Sequence, residues 1–228
     1  MKAMLLAAGR GERLRPLTDT TPKPLIEVGG RTLIEWQLER LLRAGIREFV
    51  INLAHLGTQI EHRLGDGRRY GARISYSPEP PGALETGGGI RAALPLLGDA
   101  PFVVANADVW IEYDFRTLRL RDGDLGQLVL VPNPAHHPRG DFALRDGRIV
   151  DDETSKHTFA GVALYAPAMF AGHAPGRFAL APLLYAAAAA GRLGGTLFEG
   201  CWIDVGTPER LAETQLRVAS LRADNTPS

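Results

Sequence analysis

The sequence predicts an α/β fold built on a mixed, mainly parallel sheet with helices on both faces, and three observations carry that expectation. Strand-like and helix-like segments alternate through the first half of the chain, which is the rhythm of parallel strands joined by covering helices. The run Pro101-Phe102-Val103-Val104-Ala105-Asn106-Ala107-Asp108 is apolar until it ends in Asn and Asp. That pattern suits a central strand buried on both faces, whose carboxyl end meets a ligand. From Gln127 onward a strand leads to a hairpin around Asp146-Gly147, a pair suited to a tight turn, so a small antiparallel excursion is expected.

Each element has a local reason. Lys2 to Ala7 reads as the first strand. Thr32 and Glu35 make a capping box, and Leu33, Ile34, Leu38, Leu41 and Leu42 form one apolar stripe before Gly45 ends the helix, which marks that segment as scaffold. Glu48 to Leu53 and Ile74 to Ser77 read as strands on either side of a helix near Leu56 to Leu64. A short helical piece, Ile90 to Leu94, is expected to stop at Pro95. Phe159 to Tyr165 is a further strand, Ala181 to Ala190 an alanine-rich helix, and the closing helix begins at Thr207-Pro208, with proline at its first position. The expected organisation is a single domain over residues 1–222 and a frayed tail over 223–228.

Composition narrows the partners. Of 228 residues, 26 are Lys or Arg and 26 are Asp or Glu, so no excess charge draws the chain to nucleic acid or to a membrane surface. The 45% apolar content suffices for one sizeable core. The apolar start is too short for a secretory leader before Gly9-Arg10-Gly11, and Ala186 to Ala190 is closely bounded by Gly191 and Arg192, so a cytoplasmic protein is expected. The one cysteine, Cys201, lies beside Trp202 and reads as a small buried thiol rather than a nucleophile.

Two segments near the N-terminus suggest anion chemistry. Leu6-Ala7-Ala8-Gly9-Arg10-Gly11-Glu12-Arg13-Leu14-Arg15-Pro16 follows the first strand with two glycines and three arginines. Backbone amides and guanidinium forks suit a triphosphate, although glycines after a strand fit a plain turn as well. Leu14 stands where a dinucleotide fingerprint needs its third glycine, which argues against NAD. Thr21-Pro22-Lys23-Pro24-Leu25 fixes the backbone around one lysine, restricting where its ammonium points. Taken alone, Lys23 reads first as a solvated surface lysine.

Together these segments resemble the amino-terminal signature of the sugar-1-phosphate nucleotidyltransferase family. Within it the chain is most similar to the short uridylyltransferases that act on N-acetylmuramate 1-phosphate. The likeness continues through Leu84-Glu85-Thr86-Gly87-Gly88-Gly89, Asn106-Ala107-Asp108-Val109-Trp110, His136-His137-Pro138-Arg139-Gly140-Asp141-Phe142 and Trp202-Ile203-Asp204-Val205-Gly206-Thr207-Pro208. The resemblance implies a Rossmann-like, three-layer, GT-A-like fold. It also implies UTP and a sugar 1-phosphate as substrates, Mg²⁺ as cofactor, a role in recycling cell-wall sugar, and a monomer or small homo-oligomer.

Site residues follow from the same likeness. Leu6, Ala7, Ala8, Gly9, Arg10, Gly11, Glu12, Arg13 and Lys23 would surround the triphosphate, with Arg13 on the departing pyrophosphate and Lys23 at the reacting phosphate. Glu85, Thr86, Gly87, Gly88 and Asn106 would meet the nucleoside; a ligand-free glycine hinge is the other reading of the triple glycine. Asp108 and Asp204 would hold the metal, since Mg²⁺ takes few protein oxygens and fills its shell with phosphate and water. Their plainer alternatives are a turn cap and a cap of the Pro208 helix. Asn106, Asp108, Gly140, Asp141, Glu153, Lys156, Phe159 and Trp202, with Thr154 beside them, would face the sugar phosphate. The loop with His136 and His137 reads as a substrate lid or as exposed chain.

Two positions depart from the family pattern. Ala107 replaces a glycine, where its methyl either crowds the nucleotide or stiffens the backbone, and Arg10 replaces a lysine. Related acceptors (glucose or mannose 1-phosphate, or phosphocholine with CTP) and a non-catalytic sugar-nucleotide sensor are the alternatives. Retention of Arg13, Lys23, Asp108 and Asp204 speaks against the sensor.

Overall fold

The computed structural model describes residues 1–80, 82 and 84–224. In chain order the elements are β1 (Lys2–Leu6), α1 (Leu17–Thr20), β2 (Glu27–Val28), β3 (Arg31–Thr32), α2 (Leu33–Arg43), β4 (Glu48–Leu53), α3 (Gly57–Leu64), β5 (Arg73–Pro78), α4 (Glu85–Leu97), β6 (Phe102–Asn106) and β7 (Val109–Ile111). There follow β8 (Gly126–Val131), β9 (Phe142–Arg145), β10 (Arg148–Val150), β11 (Lys156–Tyr165), α5 (Ala168–Ala171), α6 (Ala181–Ala189), β12 (Leu193–Leu197), β13 (Trp202–Asp204) and α7 (Pro208–Asp224).

Among the described residues, nine strands form one sheet in the order β5-β4-β1-β6-β11-β8-β12-β10-β9. Seven share a direction; β11 and β10 oppose it. The parallel strands of the first half need crossovers, and α2, α3 and α4 supply them. The expected hairpin forms between β9 and β10, with Asp146 and Gly147 both at positive φ.

Alternation along the central strands makes the three layers. Ala3 and Leu5 of β1, with Val103 and Ala105 of β6, pack on the side of α2 and α3. Met4, Val104 and Phe102 face α4, α5 and α6. A smaller core of Leu14, Val28, Trp110, Ile203, Val205 and Val218 lies under α7. Side chains of opposite parity thus fill two apolar layers, as a sheet covered on both faces requires.

The capping box of α2 is present: Glu35 N donates to Thr32 Oγ1 and Thr32 N to Glu35 Oε2. Glu35 also accepts from Arg63 Nη2 at 2.9 Å and from the Tyr70 hydroxyl at 2.6 Å. One carboxylate therefore caps a helix and ties α3 and the turn after it to that helix.

One expectation is corrected. Helix α4 begins at Glu85, contains Gly87 to Gly89 and runs through Pro95 to Leu97. Its glycines are set by tertiary approach: Gly88 N donates to Phe178 O and Phe178 N to Leu84 O. A Cβ on Gly87 would lie 2.6 Å from the Phe178 ring, and one on Gly88 would collide with the Gly176 carbonyl. The helix reaches past Pro95 because packing of Ile90, Ala93 and Leu97 into the core outweighs the lost amide. At the other end, α7 runs through Asp224, and residues 225–228 of the expected tail lie outside the described residues.

Candidate functional site

The site gathers at the carboxyl edge of β1 and β6. Leu6 and Asn106 stand opposite each other in the parallel register, and Ala7 N donates 2.8 Å to the buried side-chain oxygen of Asn52 in β4. This holds the start of the glycine loop against the sheet edge. Gly11 then turns in the left-handed region at φ 69°, and a Cβ there would meet Thr18 Cγ2 at 3.0 Å and Lys23 Cβ at 3.1 Å. The missing side chain at 11 lets the Lys23 stem pass beneath the loop.

Lys23 begins a tight turn between Pro22 and Pro24 and is buried. Its ammonium donates 2.5 Å to Asp108 Oδ2 and lies 3.8 Å from Asp204 Oδ1. The two aspartates come from residues almost a hundred positions apart, and the ribbon of β7 and β13 joins them. Asp204 pairs with Val109, and Val205 N donates to Asp108 O at 3.3 Å. The aspartate side chains are 27% and 25% exposed, open enough to admit further oxygen ligands.

More positive charge gathers around Asp204 than the sequence indicates. Arg13 Nη2 lies 3.7 Å from its Oδ2, and Arg210 Nη1, from the first turn of α7, lies 3.5 Å from the same atom. Both guanidinium groups pass over Gly206, where a Cβ would stand 2.6 Å from Arg210 and 2.7 Å from Arg13. Three cations thus face two carboxylates, leaving positive charge for an anionic substrate. Asp204 does not cap α7, since the Arg210 amide donates to Thr207 Oγ1 instead.

Beside this cluster lies a cavity of about 510 Å³ lined by Leu6, Glu85, Thr86, Asn106, Asp141 and Phe159, among others. Residues expected at the nucleoside and residues expected at the sugar therefore share one space. Asn106 lines it only two positions before Asp108. Gly87 and Gly88 lie inside α4 behind this wall, against Phe178 and Gly176. Ala8 is half-buried, while Gly9, Arg10, Glu12 and Arg13 are solvent-facing along the loop.

On the acceptor side the arrangement is divided. Both oxygens of Asp141 are engaged, Oδ2 by Phe159 N at 2.8 Å and Oδ1 by His137 Nε2 at 3.0 Å, so this carboxylate holds the loop 133–140 to β11. Gly140 takes a positive φ against the Lys156 carbonyl. Lys156 Nζ donates 2.6 Å to Glu153, and both line a separate cavity of about 220 Å³ that shares Asp141 with the larger one. Thr154 turns back onto Asp152. Trp202 is half-buried and donates its indole N–H to Ala160 O at 3.0 Å, in the ribbon that carries Asp204.

The loop histidines are fixed at both ends of the site. His136 Nε2 lies 2.6 Å from Arg210 Nη1, and burial first, then Arg210, holds its pKa below the ordinary 6.5. An imidazole facing a guanidinium accepts the hydrogen bond only when neutral. Ala107 is fully buried in the core on the α2 side, so its methyl points away from the site. Burial pushes the Cys201 thiol up, which lowers its thiolate fraction.

Arg210, Asn52 and Glu79 escaped sequence reasoning. Glu79 accepts from Asn52 Nδ2 at 2.6 Å and from Leu84 N at 2.7 Å, bracing the segment that leads into α4. A polar Asn inside the apolar β4 run was the available signal for the first of these contacts. Among the described residues no cluster of three His, Cys, Asp or Glu side chains could hold a metal, and no helix is long and apolar enough to cross a membrane.

Comparison with known proteins agrees with this geometry. A family model described as nucleotidyl transferase matches residues 2–139. The chain is 52% identical to an N-acetylmuramate alpha-1-phosphate uridylyltransferase of Neisseria meningitidis serogroup B, over 94% of this chain and 97% of that one. It is 37% identical to the Caulobacter vibrioides protein of the same description, over 95% and 96%. Among solved structures, one from Bacillus anthracis assigned as a glucose-1-phosphate thymidylyltransferase superposes with a TM-score of 0.83 over 100% of this chain and 97% of that one; at 21% identity it speaks for the fold alone.

Proposed function

Because the chain belongs to the nucleotidyl transferase family, we propose that it transfers uridylate from UTP to a sugar 1-phosphate, N-acetylmuramate 1-phosphate, releasing pyrophosphate. The observation that carries this reading is the Lys23 ammonium held between Asp108 and Asp204, under a glycine loop that ends in Arg13. The acceptor is drawn from the substrate in the descriptions of the two bacterial relatives, which match this chain almost end to end.

The reaction forms a bond between an acceptor phosphate oxygen and the α-phosphorus, and breaks the bond from that phosphorus to the bridging oxygen of the pyrophosphate. A sugar phosphate is already an anion at neutral pH, so no side chain needs to activate it. What opposes the reaction is repulsion between two anionic reactants. Lys23 holds positive charge at the reacting centre, and Arg13 and Arg210 face the departing phosphates. Amides of the loop from Ala8 to Gly11 orient the triphosphate, and the chain entering α4 reads the base.

Asp108 and Asp204 offer hard oxygen donors that converge on one cation position, marked here by the lysine ammonium. This donor set fits Mg²⁺ with its remaining ligands from phosphate and water. Held by these two carboxylates, the ion would supply further neutralisation of the phosphate oxygens. Lys23 keeps the carboxylates from repelling one another in the free protein, and Arg210 with Arg13 fixes the orientation of Asp204.

A single domain over residues 1–222, a monomer or small homo-oligomer, a cytoplasmic setting and a place in cell-wall sugar recycling complete the reading. It is tested by screening four nucleoside triphosphates against a panel of sugar 1-phosphates for pyrophosphate release. The expected result is strong turnover only with Mg²⁺, UTP and N-acetylmuramate 1-phosphate together. Preference for another pair would remove the acceptor assignment and leave the reaction class.

A further inference from the structure

A further cavity, of about 880 Å³, opens between α2, α7 and the chain that follows β7. None of Arg13, Lys23, Asp108, Asp204 and Arg210 lines it, and it shares no lining residue with the cavity of about 510 Å³ beside the reacting centre. Its size is that of a small-molecule site. Part of the wall is aromatic. Trp36 and Trp110 meet edge to face with centroids 5.3 Å apart. Both indole N–H groups are already used, by Val28 O and by Glu112 Oε1, so the pair presents carbon rather than donors.

The charges around it do not balance. Among the described residues that line the cavity, Arg31, Arg40, Arg43, Arg116 and Arg222 face the carboxylates of Glu39, Glu112 and Asp114. Each carboxylate already has an arginine: Glu39 pairs with Arg31 and Arg43, Glu112 with Arg217 at 2.6 Å, and Asp114 with Arg116 at 2.9 Å. Arg40 is left over. It is half-buried on α2, with its Cζ 3.9 Å from the centroid of Trp110, and among the described residues it makes no hydrogen bond and no ion pair. Burial holds its pKa at about 10 against an ordinary 12.5, with Glu112 and Glu39 opposing that from a distance. The indole face offsets part of the desolvation. A guanidinium carries five N–H donors, however, and methionine would fill the volume of its stem without burying a charge. A charge kept at that cost beside an open cavity calls for an anion in it.

We propose that this cavity is a second ligand site, for a small organic anion that carries one carboxylate or phosphate on a flat apolar body, with Arg40 as its counter-ion. The site is separate from the reacting centre and does not depend on which acceptor the chain uses. A planar guanidinium meets a carboxylate or a phosphate with two parallel N–H bonds, and the apolar surroundings of the indole pair strengthen such a contact. Trp36, Phe115 and Val218 supply apolar surface for the body of the ligand. One surplus guanidinium matches one anionic group, and the three carboxylates of the wall disfavour a polyanion.

Two of the chain's three tryptophans line this cavity, so tryptophan fluorescence of the full chain reads its occupation. The probes are phenyl phosphate, benzoate, inorganic phosphate and neutral benzamide, each titrated with Mg²⁺ and a saturating non-transferable UTP analogue present. Phenyl phosphate or benzoate should bind saturably, and the tighter of the two tells whether the anion is a phosphate or a carboxylate. Inorganic phosphate and benzamide should each bind at least about tenfold more weakly than that probe, since each lacks one half of the match. Arg40→Gln should weaken the probe at least about tenfold, and Arg40→Lys, which keeps the charge, should weaken it less. With no hydrogen bond or ion pair to lose, Arg40→Gln should shift the ligand-free melting temperature by less than about 5 °C. A larger fall would give the charge a structural reason and overturn the site. So would the absence of saturable binding by either aromatic anion, affinity unchanged in Arg40→Gln, or displacement of the probe by the UTP analogue.

Discussion

The ammonium of Lys23 donates to Asp108 across 2.5 Å, linking a proline-bounded turn near the N-terminus to the end of the central strand β6. Lys23 stands 3.8 Å from Asp204 as well, so a single buried cation holds together two carboxylates that would otherwise repel. Removing the ammonium therefore affects the fold before any substrate arrives. Lys23→Ala should lower stability by about 2–3 kcal/mol, as for other partly buried pairs that lose one partner. Millimolar Mg²⁺ should recover part of that loss in the variant by taking the vacated position, while changing the unaltered protein less. Thermal melts with and without Mg²⁺ check both statements, and an identical Mg²⁺ response in the two proteins would refute the second.

Arg210 meets Asp204 and His136 with the same nitrogen. Arg210→Ala and His136→Ala should each lower kcat/KM, the former by about tenfold, as expected for loss of a group that orients a charged side chain. In a double-mutant cycle the two effects should not add, because His136 acts through Arg210. Additive losses would show that the loop and the helix act independently.

Glu35 gives a pH dependence with a definite sign. Burial raises its carboxyl pKa, but hydrogen bonds from Arg63, Tyr70 and Thr32 outweigh this and hold it at about 2 against an ordinary 4.5. A depressed carboxylate contributes stability that is present above pH 4.5 and is lost as pH falls toward 2. Glu35→Gln should therefore cost about 2 kcal/mol at neutral pH, discounted for partial exposure of its arginine partner. The gap from the unaltered protein should close between pH 4.5 and about 2. Urea melts across that range measure it, and a gap independent of pH would contradict the assignment.

Features that were legible in the sequence depend on neighbours in the chain. The Thr32–Glu35 box, the Asp146-Gly147 hairpin and Pro208 at the start of α7 each express a rule spanning a few residues. The glycines of α4 were visible but their placement was not, because the reason for them is Phe178, some ninety residues away. Arg210 is unremarked in sequence, since arginine is ordinary in a helix, and only the β7–β13 ribbon brings Asp204 beneath it. Asp141 shows the converse: a carboxylate in a motif whose oxygens are both taken up in holding a loop. Local rules locate the elements; the pairing of distant strands decides which polar groups face one another.

The central claim, that Asp108 and Asp204 form one reacting centre with Lys23, is tested most directly by exchange of labelled pyrophosphate into UTP in the presence of UDP-N-acetylmuramic acid. The unaltered protein should catalyse the exchange with Mg²⁺, and Asp108→Asn and Asp204→Asn should each reduce it by about a hundredfold to a thousandfold while melting cooperatively. Exchange by either variant within about threefold of the unaltered protein, a loss of under 1 kcal/mol in barrier, would contradict it.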